Sequence, residues 1–336
     1  MPIARGVVFT GARQVAMEER ELPNPGPEEV LIRTHCSLIS TGTELSAFGG
    51  NLRPGSRWAQ YVRYPWRPGY SNVGTVVALG EGVTGLEVGR RVVSHGGHAS
   101  LVVQKQTLVQ PVPDGVSDED ATFCTLGVIC LNGVRLARLQ LGESVVVCGA
   151  GLVGVLTADL ARKSGAWPVI SIDLAPARLE FARAHGASYV LGMGADRAEP
   201  DVRRITKGRM ADVVFEVTGD PAVIAPLTRM ARRLGRVILL GSPRGLTEID
   251  FHDEVHTNGL HIIGAHNSTH TPVETPYNVW TMQRDRELFL DLLAAGEVYV
   301  GGLITHRFSG EEGPAAFEQL WADRTRLMGV VLDWTR

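Results

Sequence analysis

The sequence predicts an α/β protein: a doubly wound parallel sheet joined to a β-rich domain. Two observations carry this. From Ser144 to Asp173 a β-branched strand, a glycine turn, a helix and a second strand ending in an acid follow one another. Beyond Asp173 helix-like and strand-like segments keep alternating, whereas residues 1–110 read as short strands between Gly/Pro turns. A length of 336 residues suggests about two domains.

Hydrophobic residues at 44% and charged residues at 21% place the chain among soluble globular proteins. A net charge of −3 argues against nucleic acid or a membrane surface as partner. No apolar run has membrane length and no signal segment opens the chain, so a cytoplasmic protein with a small-molecule substrate is expected. Cys36, Cys124, Cys130 and Cys148 form no C-x-x-C pair and no zinc-lobe spacing, so reduced, unpaired thiols are expected.

In the first segment, Val30, Ile32, Thr34 and Cys36 alternate with Leu31, Arg33 and His35, the period of a strand. Ser40 to Glu44 is small and polar, and Phe48 to Arg57 reads as loop or short helix. Thr75–Leu79, Gly89–Val93 and Ala99–Val103 are further candidate strands, and the whole suggests a compact, barrel-like domain. Ser117 to Asp120 starts a helix with acids in its first turn.

Val145, Val146 and Val147 make the buried strand before the turn. Gly149 permits a tight turn, Gly151 leaves room for a pyrophosphate at the helix N-terminus, and Gly154 lets helix and strand pack closely. Leu152 and Val153 belong to the same turn. Asp173, about 20 positions after Gly154, is placed to accept from the ribose hydroxyls and to repel a 2′-phosphate. That favours NAD over NADP, with Arg178 partly offsetting the preference.

Further on, 178–185 reads as a helix, 189–191 as a strand, 212–217 as a strand, and 222–234 as a helix with Leu227, Met230 and Leu234 on one face. Strands follow at 236–240 and 260–264. Ligands of such sheets sit at the carboxyl ends of the strands, where Thr218, Gly219, Gly241, Ser242, Ala265 and His266 fall. The tail reads as helices at 286–295 and 314–323 and a closing strand at 327–332.

These motifs together resemble the medium-chain dehydrogenase/reductase superfamily, the alcohol dehydrogenase-like enzymes. The carriers are Ser40-Thr41-Gly42-Thr43-Glu44, Pro68-Gly69-Tyr70, Gly89-Arg90-Arg91-Val92, the glycine fingerprint, Glu216-Val217-Thr218-Gly219 and Leu239-Leu240-Gly241. The resemblance implies a GroES-like catalytic domain formed by residues 1–124 and 267–336, with a Rossmann domain at 125–266 inserted between them. It also implies a homodimer built through the strand at 260–264. Metal-dependent members carry Cys-Gly-Thr-Asp and Gly-His-Glu where this chain has Thr41-Gly42-Thr43-Glu44 and Gly69-Tyr70-Ser71, and their third ligand falls near Thr125 or Cys124. Hydroxyls do not replace a thiolate and an imidazole, so no metal is expected. The short motifs are similar to the zinc-lacking bacteriochlorophyllide dehydrogenase branch.

Without zinc, a side chain must handle the substrate proton. Candidates are Thr43, Glu44, Tyr70, His95, His98, His266 and His270, with Thr43, Glu44, Tyr70 and His266 preferred. Thr43 matches the hydroxyl that contacts substrate oxygen in the family, and Tyr70 stands where a ligand would. The His95-Gly96-Gly97-His98 run holds too few ligands for a metal and reads as a solvated loop. The leading expectation is a zinc-independent, NAD-dependent dehydrogenase of a secondary alcohol, such as a sugar, cyclitol or natural-product intermediate. An enone or quinone reductase and a non-catalytic cofactor-binding protein are the alternatives.

Overall fold

The computed structural model describes residues 1–336, which form two compact units, Met1–Leu126 with Pro272–Arg336, and Gly127–Thr271. The first unit opens with the antiparallel hairpin β1 (Ile3–Gly11) and β2 (Gln14–Glu21). Next come β3 (Glu29–Leu38), α1 (Thr43–Gly49), α2 (Arg57–Tyr61), β4 (Asn72–Leu79), β5 (Arg91–Ser94), β6 (Leu101–Lys105), β7 (Val109–Pro111) and α3 (Asp118–Ala121). Ser117 caps α3, its hydroxyl accepting from the Asp120 amide. Helix α4 (Cys124–Ala137) carries the chain out of this unit.

The second unit contains β8 (Val145–Cys148), α5 (Leu152–Lys163), β9 (Val169–Ile172), α6 (Pro176–Ala184), β10 (Tyr189–Leu191), α7 (Ala195–Ile205), β11 (Ala211–Glu216), α8 (Ile224–Met230), β12 (Ala231–Leu239) and β13 (His261–Gly264). Its six strands pair in parallel in the order β10-β9-β8-β11-β12-β13. The chain runs from β8 to one side of the sheet and later returns to the other. The order therefore reverses between β8 and β11, which is where open sheets of this kind leave a crevice. All four residues of β8 and of β9 are buried, as strands covered on both faces require, and Ser171 is the one polar residue among them.

The helix expected over 222–234 is shorter. It ends at Met230, and Ala231 already belongs to β12. Leu234 is 59% exposed with φ of +59°, so it shares no buried face with Leu227 and Met230. Its left-handed backbone is fixed by a bond from its amide to the Asn258 carbonyl.

The chain then returns to the first unit through α9 (Met282–Ala294), β14 (Ile304–Ser309), α10 (Gly313–Ala322) and β15 (Gly329–Asp333). Its main sheet has the order β14-β15-β3-β4-β5-β7, with β6 on β3 as well. The last strand lies antiparallel to β3, with Leu332 opposite Ser37 and Asp333 opposite Cys36. Both chain ends thus share one core. Phe9 packs against Phe48 at 5.3 Å and edge-on against Phe317 at 4.9 Å between ring centroids.

Candidate active site

In the second unit the glycine turn is shaped by steric necessity. Gly149 has φ of +104°, and a Cβ on Gly154 would stand 1.8 Å from the Gly149 carbonyl oxygen. At Gly151 a Cβ would meet nothing within 4 Å. Gly151 also caps α5 without a side-chain hydrogen bond, so the first-turn amides at Leu152 and Val153 have no side-chain cap. An open approach to uncapped helix amides suits a pyrophosphate. The residues present therefore fit a dinucleotide.

Asp173 follows β9. Its Oδ2 accepts from the Ala150 amide at 2.7 Å and its Oδ1 from the Ala175 amide at 2.8 Å, while Arg178 stands 3.9 Å from Oδ2. The acid thus ties the glycine turn to the end of β9. Lone pairs remain on both oxygens for ribose hydroxyls.

Glu216, which the sequence reading passed over as a site residue, ends β11 fully buried. Its Oε1 accepts from the Thr218 amide, the Thr218 hydroxyl and the Gly219 amide at 2.6, 2.6 and 2.8 Å. Its Oε2 is buried without a hydrogen-bond partner, and burial pushes the carboxyl above its ordinary value. Glu216 thus shapes the Thr218–Gly219 turn, and a Cβ on Gly241 would meet it at 2.5 Å. Arg244 donates to the Thr218 carbonyl at 3.3 Å. Ala265 is buried after β13; Ser242 is half-buried after β12.

His266 is exposed. Its Nδ1 accepts from the Ser268 amide at 3.2 Å, so the ring caps the short turn Asn267–Thr269. That capping bond is a structural use of the ring.

In the first unit a polar row crosses the core. Thr43 opens α1, and Glu44, in its first turn, is fully buried. Glu44 Oε1 accepts from the Ser40 amide at 2.9 Å; Oε2 lies 2.7 Å from His98 Nε2. His98 Nδ1 lies 2.8 Å from Ser37 Oγ, which also accepts from Trp334 Nε1 at 3.0 Å. Above this row the Tyr70 hydroxyl donates to Ser40 Oγ, and the Tyr70 carbonyl accepts from Thr125 Oγ1 at 2.9 Å. Burial, and then the Glu44 charge, push the Tyr70 phenol well above its ordinary value, against the opposing Ser40 and Thr43 hydroxyls.

The expectation of a solvated His-Gly-Gly-His loop is thereby corrected. His98 is 1% exposed, and His95 is half-buried. Burial, aided by the Arg286 charge, lowers His95 to about 4. The backbone explains the inward turn. The His98 amide donates to the Pro68 carbonyl, and Gly69, with φ of +102°, has no Cβ to block that approach. Only the separation of Glu44 and His98 by 54 positions hid the pair from the sequence reading.

The positions at which metal-dependent relatives of the resemblance hold zinc do not suit it here. Thr41, Tyr70 and Thr125 offer hydroxyls, not the thiolate or imidazole that zinc takes, and the Thr125 hydroxyl donates to the Tyr70 carbonyl. Burial pushes the Cys124 thiol up to about 12, and its Sγ lies 3.9 Å from the Arg286 carbonyl oxygen. No three His, Cys, Asp or Glu side chains gather as a ligand set.

Comparison with known proteins follows the same outline. The family model for the alcohol dehydrogenase GroES-like domain matches residues 26–117, and that for zinc-binding dehydrogenase matches residues 153–281. L-threonine 3-dehydrogenase of Pyrococcus horikoshii is 30% identical, over 91% of this chain and 92% of its own length. Among solved structures, a protein of Sinorhizobium meliloti 1021 assigned as a zinc-binding dehydrogenase and bound to NADP superposes with a TM-score of 0.81 at 22% identity, covering 99% of this chain and all of its own. An alcohol dehydrogenase of Escherichia coli CFT073 complexed with NADH gives 0.83 at 19%, with 99% and 100% covered. With its glycine turn, its parallel sheet and its GroES-like unit, the chain belongs to the medium-chain dehydrogenase/reductase superfamily of pyridine-nucleotide-dependent oxidoreductases.

Proposed function

We propose that the protein interconverts a secondary alcohol and its ketone with NAD(H), and that Tyr70, not zinc, handles the substrate proton. The observation that carries this is the phenol at a metal-ligand position, hydrogen-bonded to Ser40 and held in its protonated form by burial and by Glu44. The threonine dehydrogenase relative supports a secondary alcohol. The hydroxyls of Ser40 and Thr43 beside Tyr70 suit a substrate with several oxygens. Asp173 supports NAD, since a carboxylate beside the glycine turn repels a 2′-phosphate. The coenzyme supplies or takes the hydride at the carbinol carbon. Tyr70 supplies the proton to the ketone oxygen, or takes it back from the alcohol. Because the phenol keeps its proton at neutral pH, reduction is favoured there and oxidation gains as pH rises.

The test is a panel of hydroxyketones and enones reduced by chelator-treated protein with NADH or NADPH. Tyr70→Phe should lower kcat for the best ketone by about 100-fold or more with little change in KM. Turnover lost on chelation and restored by zinc would refute the reading. So would full activity in Tyr70→Phe, and tighter binding of NADPH than NADH would overturn the choice of coenzyme.

A further inference from the structure

The buried row behind Tyr70 has a direction. Trp334 Nε1–H can only donate, and it donates to Ser37 Oγ. Ser37 is fully buried, so its own hydroxyl proton needs an acceptor inside the protein. The partner within reach is His98 Nδ1 at 2.8 Å. The imidazole proton is then on Nε2, aimed at Glu44 Oε2, and the other Glu44 oxygen takes the Ser40 amide. Read this way, the row from Trp334 to Ser40 leaves no polar atom without a partner, and its single charge rests on Glu44.

We propose that His98 is a positioning residue: backed by Ser37 and Trp334, it holds the Glu44 carboxylate charged and fixed beneath the Ser40–Tyr70 pair, so that Tyr70 remains an oriented proton donor. The proposal rests on the reading of Tyr70 given above. Its reach to the phenol is short. Glu44 holds the Ser40 backbone, and the Ser40 hydroxyl receives the Tyr70 proton. The groups acting on the phenol are Glu44 from α1, Tyr61 from α2 and the Ser40 and Thr43 hydroxyls; of these only the carboxylate is charged. Both side chains of the Glu44–His98 pair are 0% exposed, so water cannot replace a lost partner. A carboxylate deprived of its imidazole there binds a proton instead. Phe317 lies 5.9 Å from the His98 ring, so a phenylalanine at 98 keeps an aromatic neighbour while removing the donor.

The first measurement needs no variant. Nitrogen-15 NMR of histidine-labelled protein at pH 7 should show His98 neutral with its proton on Nε2; an imidazolium or an Nδ1–H tautomer would overturn the assignment. The second is infrared difference spectroscopy. His98→Phe should show the carbonyl band of a protonated, buried carboxyl that disappears in the double variant with Glu44→Gln, and His98→Gln, which can still donate, should lack it. A His98→Phe protein without that band refutes the proposal. With NADH and the best ketone of the panel, His98→Phe should lower kcat about tenfold with KM unchanged, and His98→Gln should recover most of it. Equal kcat in all three proteins also refutes it. If Tyr70→Phe keeps full turnover while the band appears in His98→Phe, the proton-donor reading has failed and the hold of His98 on Glu44 has not.

Discussion

The glycine turn of the second unit and the buried row of the first both organise polar atoms, by opposite means. Between Gly149 and Gly154 the work is done by the backbone, and each of the three glycines matters through the side chain it lacks. In the row from Trp334 to Tyr70 the work is done mainly by side chains from four separate stretches of chain, residues 37–44, Tyr70, His98 and Trp334, and each needs the next. A backbone site is written into six consecutive residues. A side-chain site exists only once β15 has paired with β3 and the His98 loop has turned inward. The first should tolerate or fail residue by residue; the second should fail as a unit.

The largest effect is therefore expected in the row. Glu44→Ala strands the Ser40 amide and the His98 Nε2–H in a site closed to water. Each orphaned group costs about 1–3 kcal/mol, so a loss of about 3–5 kcal/mol is expected in urea unfolding of the first unit. A loss below about 1 kcal/mol would mean that the row relaxes piecemeal, and the contrast with the turn would fall.

Next in size is a pH effect close to the same row. His95 titrates near 4 in the folded protein, against about 6.5 in an unfolded chain. Between those values the unfolded chain binds the extra proton. The contribution is complete above about pH 6.5 and is lost as pH falls towards 4, up to about 3 kcal/mol in all. Replacing His95 by Gln should flatten stability over that window, as read from urea midpoints at pH 7, 5.5 and 4.5. Parallel curves for the two proteins would show that His95 is hydrated in both states.

The same contrast explains what could be read in the sequence. The parallel sheet, α5, the short strand β10 and the acid after β9 were legible because local periodicity and local glycines specify them. Helix α7 went unread: Pro200 interrupts its pattern, and its buried face is made of Ala195, Ala198 and Val202, too small to stand out. Leu234 was misplaced because tertiary bonding overrode a helical period. Thr43, Glu44 and Tyr70 stand out by their place in a motif and His98 by the His-Gly-Gly-His run, yet nothing local pairs His98 with Glu44 or points to Ser37 or Trp334. Glu216 stands inside the Glu-Val-Thr-Gly motif, where a carboxylate ending an apolar strand is a local sign of a side chain folded back on its own turn.

The smallest effects sharpen the backbone half, where two glycines three positions apart should separate stability from binding. A methyl at Gly154 would overlap the Gly149 carbonyl, so Gly154→Ala must push α5 away from the turn, and a loss of about 1–3 kcal/mol is expected. Gly151 has an extended backbone with φ of −73° and open space around it, so Gly151→Ala should change stability by less than about 0.5 kcal/mol. The new methyl would nevertheless occupy the approach to the first-turn amides. NADH affinity measured by fluorescence titration should fall about tenfold or more, about 1.4 kcal/mol. Equal NADH affinity in Gly151→Ala and the parent would show that the anion does not use this end of α5. The glycine would then be a matter of folding alone, and the two halves of the molecule would differ less than the open turn suggests.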